Sequence, residues 1–197
     1  MREDFPDLLA AAREGDDAAF TTLFRSVQPV LLRYLRTIGG RLADDVAAET
    51  WVSVVRGIER FRGDEDGFRA WVFTIARARL VDARRTAART PVPVDVTAEL
   101  AEMPATTDVP AAVDELMSTE AALALIGRLP PDQAEAVLLR HVVGLDPTQA
   151  AAVLGKRPGA VRIATMRGLA RLRALLPPTA PVEQPVPGCN ATDRANG

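Results

Sequence analysis

LDPTQAAAVLGKRPGAVRIATMRGLARLRALL, residues 145–176, is the stretch from which the fold is most directly read. Asp146 is placed to cap a helix, Pro147 suits its first position, and Gln149 can complete a capping box. Gly155 stops that helix after about two turns, and Pro158 can start another. In the second helix Val161, Thr165, Leu169, Leu172 and Leu176 fall on the inward side. Arg162, Met166 and the row Ile163, Arg167, Arg171 are left facing outward. From Lys156 to Arg173 there are six bases and no acid. Two helices joined by a tight glycine-containing turn, the second one basic, make a helix-turn-helix pattern. In such a pair the start of the second helix enters the major groove of DNA. Arginine can hold guanine O6 and N7 in a bidentate bond, and any nearby cation can neutralise a phosphate. A purely structural helix hairpin is the rival reading. Gly168 within the helix costs roughly 1 kcal/mol relative to Ala, a loss that close packing would explain.

The rest of the 197-residue chain makes the basic stretch stand out, because the net charge is −2. Charge is strongly segregated. Residues 1–20 carry six acids against Arg2 and Arg13, whereas Arg77 to Arg89 holds five arginines against Asp82 alone. Residues 91–120 then hold seven acids and no base. Two basic clusters are thus separated by an acidic connector.

Upstream, residues 18–38 place Phe20, Leu23, Phe24, Val27, Leu31, Tyr34 and Ile38 at helical spacing, with Asp16 or Asp17 as cap and Gly39-Gly40 as stop. DDVAAETWVSVVRGIERF, from Asp44, is a second helix with Val46, Thr50, Trp51, Val54 and Ile58 on one face. After the loop RGDEDG comes a third, FRAWVFTIARARLVDARRTAAR, from Phe68 to Arg89. Three such helices can close a core on one another. Pro91, Pro93, Pro104 and Pro110 mark residues 91–117 as a flexible linker that could span up to ~90 Å. A second helical unit follows over 118–176: STEAALALIGRL, then DQAEAVLLRHVV, then the hairpin. Residues 1–15 read as an acidic N-terminal segment and 177–197 as a Pro-rich, disordered tail. The fold class is all-α, two small helical domains joined by a flexible linker.

Several chemistries find no support. A lone Cys189 excludes an internal disulfide framework and a cysteine-based zinc site. His141, the one histidine, lies in an apolar helical run with no local nucleophile or acid to form a triad, and reads as a half-buried helix residue. The phosphate-loop pattern around Gly155-Lys156 fails at Ala150 and Arg157. No metal, cofactor or active site of its own is expected. The absence of a signal-like core or an apolar run of ~18 residues leads to the expectation of a soluble cytoplasmic protein without membrane insertion. In the third helix, exposed arginines interleave with Phe68, Trp71 and Phe73. Aromatics beside cations suit melted nucleic acid, whose bases can stack while the backbone is neutralised.

DDVAAETWVSVV, FRGDEDGFRAWVFTIARARLVDARR and LPPDQAEAVLLRHVVGLDPTQAAAVLGKRPGAVRIATMRGLARLRALL together resemble successive signatures of bacterial RNA polymerase sigma factors. The resemblance is to the small extracytoplasmic-function (ECF) group, which has only the second and fourth sigma domains. It covers roughly residues 16–90 (region 2) and 118–176 (region 4). It implies that the helix with Asp45, Glu49 and Trp51 docks on core RNA polymerase. It also implies that the segment with Phe68, Arg69, Trp71, Arg77, Arg79, Arg84 and Arg85 opens and reads the −10 promoter element, while the preceding loop with Arg62 and Asp64 captures a flipped base. Lys156, Arg157, Arg162, Ile163, Met166, Arg167 and Arg171 fall in the part that reads the −35 element as duplex. The implied partners are core polymerase, promoter DNA and an inhibitory anti-sigma factor. In free form the two units would pack together or be held by that inhibitor. Ala48 departs from the glutamine usual in the docking helix and Ala78 from the asparagine usual in the −10 segment; in the recognition helix Arg157 and the Ile163-Ala164 pair depart too, so the resemblance does not dictate the −35 sequence. A stand-alone helix-turn-helix regulator is the alternative function, and a purely protein-binding helical adaptor a third.

Overall fold

The computed structural model describes residues 4–89 and 112–175. The linker as far as 111 and the tail from 176, with Leu176 and Cys189, lie outside the described residues. Among these residues there are eight α-helices and no strand. Four belong to the first unit: α1 (Phe5–Arg13), α2 (Asp17–Gly39), α3 (Ala43–Gly57) and α4 (Glu65–Arg89). The Asp16 carboxylate caps α2 by accepting the Ala19 N–H at 2.8 Å. α2 runs through Pro29, which costs about 3 kcal/mol in a helix interior. Burial of Val27, Leu31 and Leu35 on either side, at about 1.5–3 kcal/mol each, outweighs that loss.

In the first unit two elements differ from the sequence reading. The acidic N-terminal segment contains α1, whose Phe5, Leu9 and Ala12 are buried against the core while its acids face water. Arg13 fastens its end by donating to the carbonyls of Ile58 and Phe61. The loop RGDEDG is a loop only over its first half. Asp64 caps α4, its side chain accepting the Gly67 N–H and its carbonyl the Phe68 N–H, both at 2.8 Å. Glu65, Asp66 and Gly67 therefore form the first turn of the helix.

The second unit comprises α5 (Ala112–Gly127), α6 (Pro131–Val137), α7 (Pro147–Leu154) and α8 (Pro158–Leu175). α5 begins inside the segment expected to be linker, six residues before Ser118. The single helix expected over 132–143 is α6 followed by a π-turn, Leu138–Val142. Within that wider turn His141 is exposed rather than half-buried. At α7 the Asp146 carboxylate accepts from the N–H groups of Thr148 (2.6 Å) and Gln149 (2.9 Å). Gln149 returns the bond by accepting the Asp146 N–H at 3.0 Å, which completes the capping box.

The units pack directly on each other, α4 against α7 and α2 against α5 and α6. Glu135 of α6 is almost wholly buried at this seam and accepts from Arg77 Nε of α4 at 3.0 Å. A carboxylate buried so far is costly without a partner, and Arg77 supplies a charge-assisted hydrogen bond. Beside the pair lies Tyr34, fully buried, its ring edge-on to Phe73 at 5.2 Å and its hydroxyl without a hydrogen-bond partner. Burial, and to a smaller degree the Glu135 carboxylate, push this phenol far above its ordinary 10.0.

α8 meets α6 at Gly168, where an added Cβ would stand 2.7 Å from Val137 Cγ2 and 3.4 Å from the Gln133 carbonyl oxygen. Gly168→Ala should therefore destabilise the protein by about 1–3 kcal/mol through overpacking, despite the ~1 kcal/mol better helix propensity of Ala. A thermal melt checks the sign. Tyr34 is the single tyrosine, so alkaline titration reads one phenol. Its raised value means that the unfolded chain releases a proton above pH ~10 that the folded chain retains, and stability falls as pH rises from there. Tyrosinate absorbance should appear only together with the loss of helical circular dichroism.

Candidate nucleic-acid interface

The orientation of α8 follows from how the turn before it is built. Gly155 takes the left-handed conformation, φ 62°, and the Lys156 N–H closes back on the Ala151 carbonyl at 2.9 Å. Pro158 then opens α8. Its buried residues are Val161, Thr165 and Gly168, with Leu172 half-buried in line with them. Leu169, expected inward, is 41% exposed. Gly168 has taken the inward position, because only a residue without a side chain fits against α6. This fixes the opposite face: Ile163 is 50% and Met166 64% exposed, with Arg162, Arg167 and Arg171 exposed around them. Arg157 at the turn is exposed too, whereas Lys156 is half-buried and pairs with Asp132 at 2.8 Å.

α4 presents its cations less uniformly. Arg85 is exposed and 3.8 Å from Asp82, and Arg79 donates to Ser53 Oγ at 3.0 Å. Contacts at the surface cost little to exchange, about 0.2–1 kcal/mol. Arg84 donates to the Ile38 carbonyl. Arg69 pairs with Glu65 at 3.5 Å and Asp66 at 3.9 Å, and Arg77 points into the seam. Arg62, in the loop, donates to the carbonyls of Glu59 (2.6 Å) and Phe61 (2.8 Å).

The aromatic candidates separate. Phe68 is 1% exposed and packs between Phe5 (5.9 Å) and Phe61 (5.5 Å), so it belongs to the core and offers no face to a base. Trp71 is half-buried, stacked on Phe61 at 5.1 Å and against α3 at Gly57, where a Cβ would meet its ring at 2.9 Å.

On α3, Asp45 and Glu49 are exposed as the sequence suggested. Trp51, grouped with them, is only 7% exposed. It packs against Phe20 and Phe24, with its indole N–H donating to Gln28 Oε1 at 2.6 Å. An aromatic so held shapes the helix face without forming its surface. The sequence reading missed two large apolar residues exposed on α3, Val52 beside Glu49 and Val55 farther along the helix. The signal was there: in VSVVRG only Val54 is needed inward, so the neighbouring valines must face elsewhere. It also missed Glu135, although a lone acid inside AEAVLL implies a buried partner.

Among the described residues, no group of three or more His, Cys, Asp or Glu could hold a metal ion, and no helix is long and apolar enough to cross a membrane. What the surface does carry is two arginine-rich helices on two units.

Comparison with known proteins gives the same layout. The sigma-70 region 2 family pattern matches residues 23–90, and the sigma-70 region 4 pattern matches 119–172. The ECF RNA polymerase sigma factor ShbA of Streptomyces griseus is 37% identical over 188 residues, covering 89% of this chain and 98% of the relative. SigD of Mycobacterium tuberculosis, another ECF sigma factor, is 32% identical over 173 residues, covering 84% of this chain and 81% of its own. A solved structure of CnrH in complex with the cytosolic domain of CnrY has a TM-score of 0.58 at 29% identity, covering 85% of this chain and 94% of that one. With both regions in order on two helical units, and an identity that runs along nearly the whole of such a relative, the chain belongs to the ECF sigma factors of RNA polymerase.

Proposed function

We propose that the chain joins core RNA polymerase and gives it promoter recognition, contacting the −10 element through the first unit and the −35 element through the second. The observation that carries this reading is the pair of arginine-rich helices, α4 and α8, on a chain of net charge −2. Cations concentrated on two surfaces of an otherwise acidic molecule match a phosphate backbone met at two places. The exposed face of α3, with Asp45, Glu49 and Val52, is the polymerase-docking surface, and Trp51 holds that face in place from inside. Arg62 and Asp64 of the loop, Trp71 at its edge, and Arg79 and Arg85 of α4 serve the melted −10 strand, with Arg69 and Arg84 joining them, while Arg77 stays in the seam with Glu135. Lys156, Arg157, Arg162, Arg167 and Arg171 grip the −35 duplex. The protein acts in the cytoplasm, catalyses nothing itself and is restrained by an inhibitory protein of the anti-sigma kind. A stand-alone regulator would leave the exposed valines of α3 without a role.

Run-off transcription with core polymerase on genomic fragments tests the whole reading. Promoter-dependent transcripts are expected, and their complete absence would overturn it. Glu49→Lys combined with Val52→Glu should weaken retention of the polymerase by about tenfold or more, with little change in melting temperature because both sites are exposed. Arg162→Ala and Arg167→Ala should each reduce the log–log salt slope of promoter binding by about 0.9. A helical adaptor that binds only protein would show no such slope.

A further inference from the structure

α8 carries large apolar side chains that the fold leaves exposed, and two of them, Ile163 and Met166, lie in its N-terminal half. Ile163 and Met166 are at least half exposed, one turn apart, in the N-terminal half of the helix. Ile163 points directly away from the buried row Val161, Thr165 and Gly168, since successive residues turn by about 100°. A single exposed apolar residue needs no explanation, but adjacent ones rimmed by charge mark an interaction surface. The charge around these two states what kind: Arg162, Arg167 and Arg171 surround them, and no acid occurs from 156 to 175. That surround repels a basic face, gains nothing from a neutral one and attracts a polyanion.

We infer that Ile163 and Met166 read thymine in the −35 element by burying its C5 methyl group. Neither side chain has a strong donor or acceptor, so neither can distinguish guanine, cytosine or adenine by hydrogen bonds. Thymine alone presents an apolar group in the major groove. The N-terminal half of a recognition helix is the part that reaches base edges, and both residues lie there. Arg162 and Arg167, on either side, are placed to hold phosphates or a neighbouring guanine. The −35 element of this protein therefore carries thymine, on one strand or the other, opposite the outward centre of α8. This inference rests on the promoter-reading function proposed above and adds to it the base that the second unit selects.

The test uses full-length protein with core polymerase and a promoter recovered by run-off transcription. Each thymine of its −35 segment is replaced in turn by deoxyuridine, which lacks only the methyl group. At one or two positions the replacement should lower promoter affinity about threefold to tenfold. The Ile163→Ala, Met166→Ala double variant should lose a similar factor on the thymine promoter and no longer distinguish thymine from deoxyuridine. Equal affinity for the two promoters with the wild-type protein would overturn the inference while leaving the promoter-reading function intact. A double variant that still discriminates the methyl would also overturn it, as would one that loses polymerase retention or self-association instead of DNA affinity. Failure of promoter reading itself would show differently, as no promoter-dependent transcript at all. Unchanged helical circular dichroism and melting temperature are the check that the exposed substitutions leave the fold in place.

Discussion

The structure hangs on one buried row, Phe68, Val72, Phe73, Ala76 and Leu80 along α4. Its residues touch everything that matters: Phe5 of α1 meets Phe68, and Tyr34 of α2 meets Phe73. α3 lies along one side of the helix and α7 of the second unit along another. Each of the larger members contributes about 1.5–3 kcal/mol by leaving water, and together they commit α4 to a central place. The arginines of the same helix are then carried along with it. Which of them reach solvent, and which reach Glu135 or a backbone carbonyl, is decided by the packing of that row rather than by their own chemistry.

Much of this could be read from the residues alone where a local rule was strong. α2, α7 and α8 announce themselves through caps, stops and a clean apolar period, and the capping box at Asp146 is as its spacing suggests. The places where reading failed share a physical cause: residue type does not say which side of a helix another helix will cover. Trp51 and Phe68 carry the chemistry of a binding surface, yet both are spent on the core. Leu169 is apolar and falls inward by helical period, but Gly168 permits the closest approach and so takes the contact. α1 was hidden because its acids dominate the composition of a stretch in which Phe5, Leu9 and Ala12 keep helical spacing. The π-turn after Val137 has no composition cue at all.

The seam between the units was the least legible feature, since it depends on pairs far apart in sequence. Arg77 and Glu135 are 58 residues apart, and nothing local links them. What the sequence did contain was an acid stranded among apolar neighbours, which physical chemistry forbids without a partner. Tyr34 shows the opposite outcome: its hydroxyl is buried beside that pair and remains without a hydrogen bond. The seam is therefore satisfied at its charges and unsatisfied at its neutral polar atom.

The contact at Gly168 has a consequence for how freely the surface of α8 can change. The helix is held in its rotational setting by Val161, Thr165 and Gly168, while Arg162, Ile163, Met166 and Arg167 take no part in holding it. The residues that fix the helix and those that form its outer surface are thus interleaved but separate letters of one sequence. A lineage could exchange the outward letters freely, with the scaffold beneath registering almost no difference.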